Sequence, residues 1–170
     1  MRWTSLLTIL KAKPEFDPAS VEAAKKRALW LLDKRDYSCA ELIRKLTEKG
    51  YTDAAAETAV DRLVELGFVD DARYAPIVVR HYAAKGYGAR RVQQELQRRG
   101  IPKELWDAAL EEMPAQDDTV DQLLRSKLRG ADPVDRAALK RATDALLRKG
   151  YGWDDISAAV ERLREEKEHP

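Results

Sequence analysis

The chain has 170 residues, 44% hydrophobic and 36% charged, with a formal net charge of +1. It is too apolar for a disordered chain and too charged for a membrane protein. Ala, Leu, Glu, Lys and Arg dominate, which favours helix, while 2 Phe and 8 Gly leave little for a sheet-rich fold.

Residues 1–20 read as an N-terminal extension: a short amphipathic helix around Leu6, Leu7 and Leu10, or a loose tail that Trp3 anchors to the first module. Its apolar run, broken by Thr8 and followed by Lys11, is too short and polar for a signal peptide or a membrane span. The default location is therefore the cytoplasm, with no membrane partner. Helices at 21–35, 38–49 and 52–66 make a first module over 21–69, with Ser38 and Glu41 as a capping box. Helices at 71–85, 88–99 and 102–112 make a second module over 70–114. Pro76 falls inside its first helix and predicts a kink or a late start, because an interior proline costs about 3 kcal/mol. Pro102 suits the first turn of the helix after Gly100. Helices at 117–129, 133–149 and 153–166 make a third module over 115–170. There Asp132 reads as an N-cap, Pro133 as a first-turn proline and Asp135 as a first-turn acid. Gly130 to Gly150 spans twenty residues against fourteen for Gly86 to Gly100, which predicts a second helix longer by more than a turn.

A period of fifty residues underlies this order. Gly50, Gly100 and Gly150 follow Lys49, Arg99 and Lys149, with Leu46, Leu96 and Leu146 four residues ahead. Tyr51, Ile101 and Tyr151 come next, then Ala59-Val60, Ala109-Leu110 and Ala159-Val160, then Leu63, Met113 and Leu163. The glycine is a helix stop, the leucine belongs to the helix it ends, and the later positions form one face of the next helix. Gly67, Gly86 and Gly130 read as further stops. The fold class is all-α: three tandem three-helix repeats forming an elongated, curved helical array.

Catalytic constellations are missing from this pattern. Two histidines, His81 and His169, and the single Cys39 do not make a zinc site. Cys39 reads as a small filler in a helical first turn. Gly86-Tyr87-Gly88 is too short for a dinucleotide fingerprint. Asp70-Asp71 and Asp154-Asp155 open helices, where carboxylates cap free N–H groups. The expectation is a protein without catalytic residues, metal or cofactor.

Charge is unevenly distributed. From Arg73 to Lys103 there are eight basic residues and one acid, Glu95. In the helix from Gly88 to Gly100, Val92 and Leu96 point to the core, while Arg91, Gln94 and Arg98 share another face with Arg90 and Gln97 beside it. Guanidinium forks suit phosphate oxygens, and Lys85 and Tyr87 add a cation and a ring. The candidate contacts are Arg73, Arg80, Lys85, Tyr87, Arg90, Arg91, Gln94, Arg98 and Arg99, and they suit a nucleic-acid backbone or an acidic protein groove. Trp30, Trp106 and Trp153 read as inter-helix packing, as do Tyr37 and Tyr87 at matching places in the repeat.

Four stretches resemble the RecX regulatory family: Leu31-Leu-Asp-Lys-Arg-Asp-Tyr-Ser38 with Glu41-Leu42; Gly67-Phe-Val-Asp-Asp-Ala-Arg-Tyr-Ala75; Lys85-Gly-Tyr-Gly88 with Arg91-Val92, Glu95-Leu96 and Gly100-Ile101; and Leu147-Arg-Lys-Gly-Tyr-Gly-Trp-Asp-Asp-Ile156. The resemblance covers about 21–166. It implies three three-helix modules and a protein that lies along the groove of the RecA filament on single-stranded DNA; a monomer is expected, with duplex DNA as a further partner. It also implies slowing of the filament's ATP hydrolysis, strand exchange and coprotease activity. Carried over to the central signature, it favours Lys85, Tyr87, Arg90, Arg91 and Arg98. The alternatives are a stand-alone nucleic-acid-binding helical repeat and a generic scaffold whose basic face meets an acidic partner.

Overall fold

The computed structural model describes residues 16–168, so Trp3, Leu6, Leu7, Leu10 and His169 lie outside the described residues. Helices and turns make up those residues, with no strand among them. In order the helices are α1 (Val21–Leu32), α2 (Cys39–Thr47), α3 (Asp53–Glu65), α4 (Asp71–Ala84), α5 (Ala89–Arg98), α6 (Trp106–Leu110), α7 (Asp117–Leu128), α8 (Arg136–Arg148) and α9 (Trp153–Glu168). The chain divides into two compact units, one ending at Val69 and one beginning at Asp70.

The columns of the repeat are the bonds of one helix ending. Gly50 N–H donates to the Thr47 carbonyl at 2.9 Å and Tyr51 N–H to that of Leu46 at 3.2 Å. The same pair of bonds joins Gly100 to Gln97 and Ile101 to Leu96, and Gly150 to Leu147 and Tyr151 to Leu146. This is the Schellman motif, in which the leucine, the glycine and the following apolar residue each have a fixed task. The glycine must be left-handed, and Gly50, Gly100 and Gly150 have φ of 98°, 66° and 90°.

In the first unit, α1, α2 and α3 enclose a core of Ala24, Ala28, Leu42, Leu46, Ala56, Ala59, Val60 and Leu63. The Ser38–Glu41 capping box forms with both bonds in place. Ahead of α1, the Pro18 carbonyl accepts the Thr52 N–H at 2.9 Å, and Phe16 meets Tyr51 edge-on at 5.0 Å. The second unit holds two cores. One gathers Tyr74, Val78, Val79, Val92, Leu96 and Ile101, and the other gathers Val120, Leu124, Leu146, Tyr151, Ile156 and Leu163.

Several expectations need correction. The helix containing Pro76 does not start late: it begins at Asp71 and continues to Ala84. Only one turn precedes the proline, and the Asp70 side chain caps that turn at the Arg73 N–H, 3.0 Å away. Pro102 is not in a first turn; with ψ of 135° it precedes a 3-10 turn, Lys103–Leu105, and α6 follows as a five-residue helix rather than one continuous helix over 102–112. The second helix of the third module is three residues longer than α5, less than a turn, since α8 has 13 residues and α5 has 10. The remaining length forms a turn. Asp132 accepts the Val134 N–H at 3.0 Å, and Asp135 is the true N-cap, accepting from Ala137 and Ala138 at 2.9 and 3.2 Å. Two aspartates three residues apart offered the same capping chemistry, and Pro133 between them is buried ahead of the helix. Trp30 and Trp153 are 51% and 56% exposed rather than packed between helices. Arg27 lies over the Trp30 ring at 4.3 Å. Trp106 does pack, and its indole N–H donates to the Ile101 carbonyl at 3.0 Å.

Candidate functional site

Helix α5 carries the basic face. Its sequence is almost uniformly hydrophilic, so Val92 and Leu96, both fully buried, orient it by their spacing of four. Between them on the buried side sits Glu95, whose side chain is 5% exposed. Arg98 binds this carboxylate through Nε at 2.9 Å and Nη2 at 2.8 Å, and Arg91 reaches it at 3.2 Å. Burial pushes the Glu95 carboxyl up, but hydrogen bonds from Arg98 and Tyr82 and the charges of Arg98 and Arg91 outweigh it, so it titrates below its ordinary range. The one acid of this basic stretch therefore sits at the centre of the helix face. That acid fixes two arginines in place.

The nine predicted residues do not all converge. Lys85, Tyr87, Arg91, Gln94 and Arg98 gather around Glu95 and Tyr82. Tyr87 and Tyr82 lie 5.8 Å apart, Lys85 sits over the Tyr82 ring at 5.6 Å, Arg91 over Tyr87 at 5.9 Å, and Gln94 accepts from Arg91 at 3.4 Å. Arg90 is exposed at the edge of this group, and among the described residues its guanidinium has no ion pair or side-chain hydrogen bond. Arg80 turns to Glu112 at 3.0 Å in an exposed ion pair, and Arg99 donates to the Tyr74 hydroxyl at 2.8 Å, so both are engaged within the module. Arg73 lies in the exposed first turn of α4, apart from α5.

Sequence reasoning missed the contribution of the third module. The tetrapeptides Lys85-Gly-Tyr-Gly88 and Lys149-Gly-Tyr-Gly152 lie against each other. Gly88 N–H donates to the Lys149 carbonyl at 2.9 Å and Arg90 N–H to the Gly150 carbonyl at 3.1 Å. In return, Lys149 Nζ and the Tyr151 hydroxyl donate to the Gly86 carbonyl at 3.3 and 3.1 Å. Gly88 supplies no side-chain cap to α5, so the carbonyls at the end of α8 take that task. The negative end of α8 thereby meets the positive end of α5. Lys149 also lies over the Tyr87 ring at 5.6 Å, which adds a cation to the site. A Cβ on Gly88 would run into the Gly150 carbonyl, and one on Gly150 into the Arg91 backbone nitrogen. The identical tetrapeptides were the signal, but they stand at different places in the repeat, one after a first helix and one after a second.

No group of three or more His, Cys, Asp or Glu placed to hold a metal occurs among the described residues, and no helix there is long and apolar enough to cross a membrane. Fold and site together define a tandem helical-repeat protein with an arginine-rich central helix locked onto its third module. The family models for RecX match it in order, the first three-helix domain over 24–63 and the second over 70–110. The regulatory protein RecX of Trichlorobacter lovleyi is 40% identical over 141 residues, covering 79% of this chain and 92% of that one. RecX of Vibrio campbellii is 34% identical over 140 residues, covering 81% and 90%. A crystal structure of RecX from Lactobacillus salivarius superposes with a TM-score of 0.76 at 20% identity, over 85% of this chain and 96% of that one. The chain belongs to the RecX family of regulatory proteins.

Proposed function

We propose that this protein binds the RecA filament on single-stranded DNA and slows its ATP hydrolysis, strand exchange and coprotease activity, with no chemistry of its own and in the cytoplasm. The observation that carries the reading is the face of α5, where Glu95 holds Arg91 and Arg98 while Arg90, Lys85 and Lys149 keep their charge available. Pre-set guanidinium forks lose little freedom on meeting a polyanion, and clustered charge speeds encounter. Tyr87, under two cations, is a ring on which a base or an arginine can stack. Titration into a RecA–single-stranded DNA ATPase assay tests the reading: hydrolysis slows as the protein is added, and unchanged hydrolysis at micromolar protein overturns it.

A second reading, direct nucleic-acid binding without the recombinase, is favoured by the exposed Arg90, which has no ion pair among the described residues. It predicts binding to single strands, and to duplex, whose affinity falls linearly with salt on a log–log plot, with a slope that reports the phosphates contacted.

A further inference from the structure

The register that aligns Gly100 with Gly150 aligns Arg91 with Arg141, Glu95 with Ala145 and Arg98 with Arg148. Tyr87 follows Gly86 at the end of α4, whereas Ala131 follows Gly130 at the end of α7. The third module thus repeats the two arginines but has neither the carboxylate that joins them in the second nor the ring beside it. The space is open: a cavity of about 480 Å³ lies between the end of α7 and α8, lined by Lys127, Arg129, Arg141 and Arg148, with Ala145 in its wall.

Among the described residues, none of these four cations takes part in an ion pair or side-chain hydrogen bond. The one acid in the lining, Asp135, already accepts two backbone N–H groups as the cap of α8. Four cations and one acid leave a local charge of +3 (4 − 1) on a concave wall, where field lines converge. In the first module the corresponding cleft contains its own acid, Glu48, paired with Lys45 at 3.0 Å, and Tyr37 lines it. Arg129 is also the one non-glycine residue with a left-handed backbone among the described residues, at φ of 53°. Such a conformation is held at a cost and is frequent where a side chain is presented to a ligand.

We propose that this cavity is a phosphate site, taking two or more successive phosphate groups in the place that the Glu95 carboxylate occupies one module earlier. A lone acidic side chain offers a single charge, whereas neighbouring phosphates match four cations and the geometry of the arginine forks. The site is separate from the face of α5, and the proposal does not depend on the filament reading.

Calorimetric titration of the full chain with sodium tripolyphosphate tests it. Arg141→Ala with Arg148→Ala weakens binding by about tenfold or more. Ala145→Glu, which restores the carboxylate without removing a cation, has the same effect. Lys140→Ala, which removes a charge on α8 that pairs with Asp144 at 3.4 Å outside the cavity, changes affinity by less than about twofold. Arg90→Glu, on the face of α5, weakens tripolyphosphate binding far less than the double-arginine variant does, which separates this site from that face. Competition by an oligothymidylate identifies a strand backbone as the source of the phosphates, and lack of competition identifies a free polyphosphate. Equal tripolyphosphate affinity in wild type and the double-arginine variant, or equally tight binding of poly-glutamate, overturns the proposal. Circular dichroism checks each variant, and the double-arginine variant decides alone should Ala145→Glu fail to fold.

Discussion

Helices α5 and α8 hold the same slot in successive repeats and manage their arginines in opposite ways. On α5 a buried glutamate draws Arg91 and Arg98 together, and a tyrosine pair covers the adjoining space. On α8 the equivalent arginines face alanine and an open cavity. Their N-termini differ too: α5 is capped by backbone carbonyls of the third module, α8 by the side chain of Asp135. A repeat that preserves its leucines and glycines can therefore give one module a pre-organised surface and the next a vacant one, through the exchange of Glu95 for Ala145 and of Tyr87 for Ala131. The backbone positions carry the fold, and the positions between them distinguish the modules.

The junction at Gly88 gives the largest expected effect. Its φ of −79° suits any residue, so alanine there adds no dihedral strain, and the whole cost is the collision with Gly150. Gly88→Ala should lower stability by about 2–3 kcal/mol, seen as a fall of roughly 5–10 °C in melting temperature. Gly130→Ala is the opposite control: φ is 82° and nothing lies near the added Cβ, so only strain of about 1 kcal/mol remains. Equal melting temperatures for the two would break the claim that the tetrapeptides lock the modules.

Next in size is Glu95→Gln, which leaves Arg91 and Arg98 without their shared charge and should cost about 1–2 kcal/mol in denaturant unfolding. Its pH dependence has a fixed sign. The folded carboxyl titrates below the unfolded value of 4.5, so its contribution is fully present above that value and is lost as pH falls through the lower folded value. The variant should show a shallower loss of stability on the acid side. An unchanged acid limb would show that Glu95 does not organise the face.

The smallest effect is expected at Arg129. Glycine there relieves the left-handed backbone and should raise stability by up to about 1 kcal/mol while weakening tripolyphosphate binding. A gain in stability together with unchanged binding would separate the strain from the cavity.

Much of the fold was legible because helix endings are local. A leucine, a glycine and an apolar residue at fixed offsets specify the Schellman bonds without knowledge of the rest of the chain, and Ser38 with Glu41 specifies the capping box. The choice between Asp132 and Asp135 was not legible, since either can accept backbone N–H groups and the intervening turn decides. The late start expected at Pro76 does not occur, because the penalty for an interior proline takes no account of how close the helix start is. At the site, the excess of arginine was visible in the composition, but the role of Glu95 depends on burial, and the contribution of Lys149 depends on two glycines meeting across sixty-two residues of sequence (150 − 88).

The exposed charge of α5 acting on a polyanionic partner is the central proposal, and Arg90 tests it most directly. Its backbone N–H is held by Gly150 while its guanidinium has no ion pair or side-chain hydrogen bond among the described residues, so Arg90→Glu reverses a charge without removing a structural contact. The decisive measurement is the concentration of protein that halves ATP hydrolysis by RecA on single-stranded DNA, compared between wild type and Arg90→Glu of equal helicity and melting temperature. A rise of about tenfold in that concentration is predicted. Equal potency would contradict the assignment of this face.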